Sequence, residues 1–285
     1  MRRAFAIALD AFYRFLDDDG WAIASHIALS TLMALFPFLI LVTALAAFLG
    51  AENLADQVAN LLLDTWPREV AEPIAREAHN VLTTTRGDVL TLSAVSSVYF
   101  ASSGVESLRI GLNRAYGAKE TRNWLLLRLE SIAYVLVGAV ALLALAILVV
   151  LAPLLFATAL RHAPWLVPLE STFTFVRFAV ATSVITAALL VAHKWLPAVH
   201  PRFRDIVPGV LATLALWLAG GILYGRYLAE FASNYVTYYA GLASAVIALV
   251  FLYLTASIFM YGGELNSVIC RSRARHGGTS PPPDN

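Results

Sequence analysis

The sequence predicts an all-α membrane protein, a bundle of six transmembrane helices with both termini in the cytoplasm. Hydrophobic residues make up 59% of the 285 residues and charged residues only 14%, whereas a soluble domain has about 25% charged residues. The mean hydropathy is +0.72, so one water-soluble core cannot enclose all the apolar side chains. Lipid must cover the excess, and six apolar stretches are long enough to cross a bilayer.

These stretches define the domain organisation. A spanning helix needs roughly 20 mostly apolar residues. Spans one to six are predicted over residues 22–49, 89–113, 132–158, 173–195, 206–227 and 242–269. They place residues 1–270 in a single transmembrane domain. Residues 271–285 are basic and then rich in glycine and proline, which predicts a disordered cytoplasmic tail.

Two further segments have amphipathic patterns. Residues 3–17 repeat apolar side chains on one helical stripe, formed by Phe5, Leu9, Phe12 and Leu16. This pattern favours a helix lying on the membrane surface, and a short helix packed on the protein itself is the alternative. The pattern of residues 51–88 predicts two short amphipathic helices that form an extracytoplasmic cap.

The basic residues predict the orientation, because cytoplasmic loops carry an excess of lysine and arginine. With the N-terminus inside, thirteen basic residues lie in cytoplasmic segments: Arg2, Arg3, Arg14, Arg114, Lys119, Arg122, Arg128, Lys194, Arg202, Arg204, Arg271, Arg273 and Arg275. Five lie on the opposite side, which has the longest loop: Arg68, Arg76, Arg86, Arg161 and Arg226. An odd number of spans would place the basic tail outside.

Charged residues inside spans are the first functional candidates, because burying them in lipid is costly. Glu106 and Arg109 are three residues apart in span two, so they share a helical face and can pair. Together with Asn113 they are expected to meet Glu264 and Asn266 of span six in a cytoplasm-side polar cluster. The alternative is a Glu–Arg pair that only locks two helices together.

Serine and glycine residues within the spans are also open to two interpretations, and a proline predicts a local break. Ser102 and Ser103 fit a polar pathway, or they permit close helix packing. Gly221 and Gly225 form a small-xxx-small pattern that favours packing. Pro37 removes a backbone hydrogen bond in the middle of span one, which predicts a hinge facing the bundle.

Soluble-enzyme chemistry has little support. The single cysteine, Cys270, excludes an intrachain disulfide framework. The six histidines are scattered without metal-binding spacing, and neither a Walker A sequence nor a dinucleotide-binding glycine motif is present. The near-neutral net charge of +1 gives no basic stripe for nucleic acid. No cofactor and no metal site are expected.

Several motifs resemble one family. They occur in a fixed order along the chain: Ala24-Ser25-His26, Leu35-Phe36-Pro37, Ser102-Ser103-Gly104, Leu108, Leu112-Asn113-Arg114-Ala115-Tyr116, Tyr238-Tyr239-Ala240-Gly241 and Gly262-Gly263-Glu264-Leu265-Asn266. This set resembles the YihY/virulence factor BrkB family of bacterial inner-membrane proteins over nearly the whole chain. A Gly-Ala-Glu-Leu-Asn ending of span six is expected from the family, so Gly263 is a mild departure.

The resemblance implies a multi-pass inner-membrane protein of a family often labelled transporters or permeases. Some members have been labelled ribonuclease BN, but nothing in this sequence supports nuclease chemistry. We therefore expect a transporter, not ATP-driven by itself, that moves a small solute or a lipid near spans one, two and six. Membrane lipids are the expected partners, and homo-oligomers are compatible with the sequence. A membrane scaffold without transport activity is the main alternative, and an intramembrane enzyme has the least support.

Overall fold

The computed structural model describes residues 2–48, 87–148, 168–239 and 243–276, together with residues 152, 156 and 160. Over these ranges the chain forms seven α-helices and no β-strand. The helices are α1 Arg2–Asp17, α2 Gly20–Phe48, α3 Gly87–Ala115, α4 Trp124–Ala146, α5 Glu170–Trp195, α6 Phe203–Tyr239 and α7 Ala243–His276. The predicted cap lies outside the described residues, except for its last two positions.

Four of the described helices are long and apolar enough to cross a membrane. The apolar segments are Trp124–Leu145, Glu170–Trp195, Phe203–Glu230 and Ala245–Arg273, in α4 to α7. Helices α2 and α3 have 29 residues each, but serines and charges make α3 less apolar. The predicted all-helical membrane class is confirmed.

The helices contribute to two compact units. The first comprises Met1–Leu32, Ser103–Arg128 and Thr186–Asn285, and the second comprises Met33–Ser102 and Leu129–Ile185. Helices α1, α6 and α7 lie wholly in the first unit, whereas α2 to α5 contribute to both. The first unit contains most of the predicted site residues.

Helix α1 packs on α7 with one face and leaves the predicted apolar stripe exposed. Ala11 and Phe15 are buried, and the Tyr261 hydroxyl of α7 donates a hydrogen bond to the Ala8 carbonyl at 3.1 Å. The stripe of apolar side chains faces away from the protein: Phe5, Leu9, Phe12 and Leu16 are all exposed. Packing of α1 on the protein is therefore observed, and the position of its exposed stripe on the membrane surface stays a prediction.

The core of the first unit joins α3 to α7. Its buried side chains come from four helices: Phe15, Ala24, Ile27, Ala115, Ala256 and Met260. A methyl group added at Gly111 would stand 2.7 Å from the Met260 sulfur, and one added at Gly263 would stand 3.2 Å from Leu112. Spans two and six are thus neighbours in this unit, as the sequence predicts.

Helices α6 and α7 approach closely at a pair of glycines that the sequence analysis did not single out. A Cβ on Gly209 would overlap the Asn266 side chain and the Gly262 carbonyl, and a Cβ on Gly262 would overlap the Thr213 hydroxyl. At Gly221 and Gly225, by contrast, nothing in the described part of the chain lies within 4 Å of an added Cβ. No packing partner for that pair lies among these residues, and its packing role stays a prediction.

Helix α7 runs further than predicted. It continues to His276, so residues 271–276 of the predicted disordered tail are helical. Pro208 has no backbone N–H to bond the Arg204 carbonyl, and Arg273 donates to that carbonyl at 2.9 Å. Arg273 also pairs with the Asp205 carboxylate. These contacts join the last turns of α7 to the start of α6, and the composition of residues 271–276 does not indicate them.

Helix α4 also begins earlier than predicted, at Trp124 instead of residue 132. The Asn123 side chain accepts a hydrogen bond from the Leu125 N–H at 2.9 Å, which is the usual role of a helix N-cap. The additional turns place Arg128 on a helix instead of in a loop.

Candidate functional site

A charged group, the arginine cluster, forms where α3 and α4 meet in the first unit. It consists of Ser103, Glu106 and Arg109 of α3 and Arg128 of α4. Glu106 lies 2.8 Å from Arg128 and 3.5 Å from Arg109. Arg109 also donates to the Leu127 carbonyl at 3.1 Å, and Arg128 donates to the Ser103 hydroxyl at 3.5 Å. The ion pair predicted for Glu106 and Arg109 is present.

Burial within the arginine cluster is uneven. The side chains of Arg109 and Arg128 are only 5% and 8% exposed, whereas that of Glu106 is 30% exposed. One carboxylate therefore faces two guanidinium groups. Guanidinium groups in a mostly buried setting attract an anion more strongly than they would in water.

A second polar group, the Asn113 brace, ties the end of α3 to two loops. The Asn113 amide donates to Glu120 at 3.1 Å, and its carbonyl oxygen accepts from the Ala198 N–H at 2.7 Å. Glu120 forms a two-pronged pair with Arg122 at 2.9 and 2.8 Å. Arg122 in turn donates to the Leu196 carbonyl at 3.0 Å. These contacts assign Asn113 a bracing role.

The electrostatics of the brace keep it charged. Hydrogen bonds from Arg122 lower the pKa of Glu120 to about 2, and the amide of Asn113 contributes in the same direction. The Glu120 carboxylate is therefore ionised at every physiological pH, so the contacts of the Asn113 brace do not respond to pH in that range.

A third group, the buried polar cluster, collects polar atoms that have no hydrogen-bond partner within the described residues. Its members are Tyr116, His193, Thr213, Glu264 and Asn266. His193, Thr213 and Asn266 are fully buried and Glu264 is 1% exposed. Both carboxylate oxygens of Glu264 and both ring nitrogens of His193 are unpartnered.

Packing explains how these side chains come together. His193 of α5 lies against the Phe259 ring, with centroids 4.9 Å apart, and its ring edge would be 3.9 Å from a Cβ on Gly263. Asn266 uses its oxygen to accept from the Gly209 N–H at 2.8 Å, which leaves its amide nitrogen free. Burial raises the pKa of the Tyr116 hydroxyl, which interacts electrostatically with Asn266 and Glu264.

The predicted site residues are therefore distributed over several settings. The arginine cluster unites Ser103, Glu106 and Arg109, and the buried polar cluster unites Glu264 and Asn266. Asn113 belongs to the brace. The expected meeting of Glu264 with the Glu106–Arg109 face involves no direct hydrogen bond, since neither carboxylate oxygen of Glu264 has a partner within the described residues.

The two remaining predicted residues lie in the second unit. The buried Ser102 donates to the Tyr99 carbonyl of its own helix at 2.7 Å, a contact that satisfies the hydroxyl locally. Pro37 lies inside the continuous helix α2 and is partly exposed. Its role as a hinge stays a prediction.

Sequence reasoning missed Arg128 and His193. The apolar pattern begins span three at residue 132 and leaves Arg128 in the preceding cytoplasmic segment, although Asn123 signals an earlier helix start. His193 has no comparable signal, because the polar residues of α5 are spread around the helix and its sequence does not show which side is buried. Within the described residues, no group of three histidine, cysteine, aspartate or glutamate side chains is arranged to hold a metal ion.

Comparisons with known proteins agree with the motifs. The chain matches the family described as virulence factor BrkB over residues 11–285. It is 25% identical to the ribonuclease-like protein YfkH of Bacillus subtilis (strain 168) over 264 aligned residues. This alignment covers 91% of this chain and 94% of that protein. It is 27% identical to the UPF0761 membrane protein RC1_0578 of Rhodospirillum centenum (strain ATCC 51521 / SW) over 281 aligned residues. This alignment covers 95% of this chain and 59% of that protein. No solved structure matches the chain. The chain belongs to the virulence factor BrkB family of membrane proteins.

Proposed function

We propose that this protein is a bacterial inner-membrane transporter or permease, not ATP-driven by itself, that moves a small solute or a lipid along a polar pathway. The arginine cluster carries the proposal. It places two buried guanidinium groups and a partly exposed carboxylate on α3 and α4 of a protein that is otherwise strongly apolar. Polar and ionisable residues at such positions in membrane proteins mark pathways more often than they stabilise the fold.

The charge of the cluster narrows the substrate class. The two side chains that meet Glu106 are both arginines, and this pair of guanidinium groups favours a substrate with an anionic group. Arginine also binds phosphate and carboxylate through two parallel hydrogen bonds. A lipid phosphate and a free phosphate share this chemistry.

The topology proposed for this function has six spans with both termini in the cytoplasm. Helices α4 to α7 supply four spans, and α2 and α3 are proposed as the other two because each has 29 residues, about the length needed to cross a bilayer with some tilt. The excess of lysine and arginine in the segments assigned to the cytoplasm supports the orientation.

Reporter fusions test this topology. A reporter that is active only in the cytoplasm should be active when fused within residues 114–128, within 194–204, or after residue 276. A fusion within residues 51–88 should be inactive with that reporter and active with a periplasmic one. An external C-terminus would contradict the six-span arrangement.

Reconstituted vesicles test the transport activity. We expect the purified protein to accelerate the transbilayer movement of fluorescent phosphatidylglycerol, or the uptake of radioactive phosphate if the substrate is a free anion. Arg128→Gln should lower the rate at least tenfold, since a lost charge-assisted hydrogen bond costs about 1.5–3 kcal/mol. Both assays use the same protein-to-lipid ratio, and empty vesicles set the background.

The matched control is Arg202→Gln, which removes the same charge from an exposed position. It should leave both rates within about twofold, because an exposed charge contributes little. Phosphatidylcholine should move more slowly than phosphatidylglycerol if the positive charge selects the substrate. Equal rates for all variants and empty vesicles would contradict transport of these two probes.

The alternative is a membrane scaffold without transport activity. The exposed apolar stripe of α1 is the observation that favours it, because such a stripe can bind a lipid surface or another protein. A scaffold would show no movement of either probe but would lose its membrane or protein contacts when Phe5 and Phe12 are replaced by serine. No enzymatic activity is proposed for the chain.

A further inference from the structure

We propose that Glu264 is a proton-binding site that couples the transport proposed above to the proton gradient. The inference depends on that transport function for its role, but the site itself has an independent test. Its starting point is the position of the carboxyl group. The side chain is 1% exposed, and neither oxygen has a hydrogen-bond partner within the described residues.

No charged group within the described residues forms a hydrogen bond with Glu264. Arg14, Asp18, Arg114 and Arg271 act on the carboxyl group electrostatically, but none forms a hydrogen bond with it. Two of the arginines already have acidic partners. Arg14 lies 3.8 Å from Asp10, and Arg114 lies 3.6 Å from Asp18 and 3.7 Å from Asp19.

Two further polar side chains approach Glu264 without forming a hydrogen bond to it. His193 of α5 is fully buried beside Gly263, and the hydroxyl of Tyr116 follows α3. Met260 precedes Glu264 by one turn of α7 and belongs to the apolar core of the first unit. An ionised carboxylate without a paired cation is costly in such surroundings. The carboxyl group is accommodated as the neutral acid.

The chemistry is a simple proton transfer. In the conformation described, the proton is held in the carboxyl O–H bond of Glu264. When the site opens to water, that bond breaks heterolytically, the proton passes to a water molecule, and the carboxylate that remains pairs with a nearby arginine. Arg14 and Arg114 are the candidates, since their present ion pairs are long and partly exposed. Reprotonation from water on the other side completes the cycle.

Infrared spectroscopy of the full-length protein in an ester-free detergent, whose molecules contain no carbonyl group, tests the site without any transport assay. At neutral pH we expect the C=O stretching band of a protonated carboxylic acid. The band should be absent from Glu264→Gln, in which an amide of the same shape replaces the acid. Glu230→Gln, at an exposed position of α6, should keep it. Absence of the band from the wild-type protein, or its presence in Glu264→Gln, overturns the proposal.

The coupling is tested by the movement of fluorescent phosphatidylglycerol and of phosphate with and without a pH gradient. For one proton per cycle, the gradient should change the rate by up to about tenfold per pH unit. Glu264→Gln should lose this response and Glu230→Gln should retain it. A response retained by Glu264→Gln, or absent from the wild-type protein, overturns the coupling. A Glu264-dependent infrared band with no movement of either probe contradicts the transport function and leaves the proton site established.

Discussion

Replacing Gly209 by alanine is expected to destabilise the protein strongly. The added methyl group would overlap the backbone carbonyl of Gly262 on α7, and it would displace the Asn266 side chain. A backbone carbonyl cannot rotate away, so the two helices must separate. Overpacking of this kind costs about 1–3 kcal/mol or more, and the loss of the 2.8 Å bond to the Gly209 N–H adds to it. The half-life of the folded protein in detergent at elevated temperature measures the effect.

Gly221→Ala is the matched control, because it makes the same change in the same helix. No atom in the described part of the chain lies within 4 Å of the added methyl group. The substitution should stabilise α6 by about 0.5–1 kcal/mol, since alanine has less conformational freedom to lose than glycine. Equal half-lives for the two variants would contradict the close crossing of α6 and α7.

Glu106→Gln is expected to have the second large effect, on stability and on transport together. The substitution leaves Arg109 and Arg128 buried without their shared carboxylate. Removing one partner of a buried ion pair costs about 3–5 kcal/mol, and the partial exposure of Glu106 places the expected loss at the lower end of that range. Thermal unfolding in detergent measures the stability, and the vesicle assay measures the rate.

Two further variants make this prediction specific. Asp10→Asn breaks the 3.8 Å pair with Arg14 in α1, whose partners are both partly exposed, so its cost should be below about 0.5 kcal/mol. Combining Glu106→Gln with Arg128→Gln should recover part of the lost stability, because the double variant removes one of the two uncompensated charges. A double variant less stable than Glu106→Gln would contradict the assigned pairing.

The helical membrane class could be predicted from the sequence because it depends on averaged properties. Stretches of roughly 20 apolar residues identify spans whichever way each helix faces. The Glu106–Arg109 pair could be predicted as well, since a spacing of three places two side chains on one helical face. Both inferences use information that lies within a single segment.

The partners between segments could not be predicted in the same way. Glu264 and Arg109 were expected to pair because both are ionisable and lie near the ends of neighbouring helices. The pairing depends on rotation about each helix axis, and the uniformly apolar sequence of α7 before Glu264 does not define that rotation. For the same reason, the sequence does not show that His193 of α5 is buried. The Gly209–Gly262 crossing was missed because its two glycines lie on different helices, whereas Gly221 and Gly225 repeat visibly within one.

The contact between α1 and α7 has a consequence for biogenesis. The hydrogen bond from Tyr261 to the Ala8 carbonyl joins residues 253 positions apart, so α1 leaves the ribosome long before its partner exists. At a synthesis rate of roughly 5–20 residues per second, the delay is on the order of ten to fifty seconds. During that interval Ala11 and Phe15 have no α7 to pack against. The nascent N-terminal helix must wait at the membrane, and its exposed stripe of Phe5, Leu9, Phe12 and Leu16 can hold it there until the last helix is inserted.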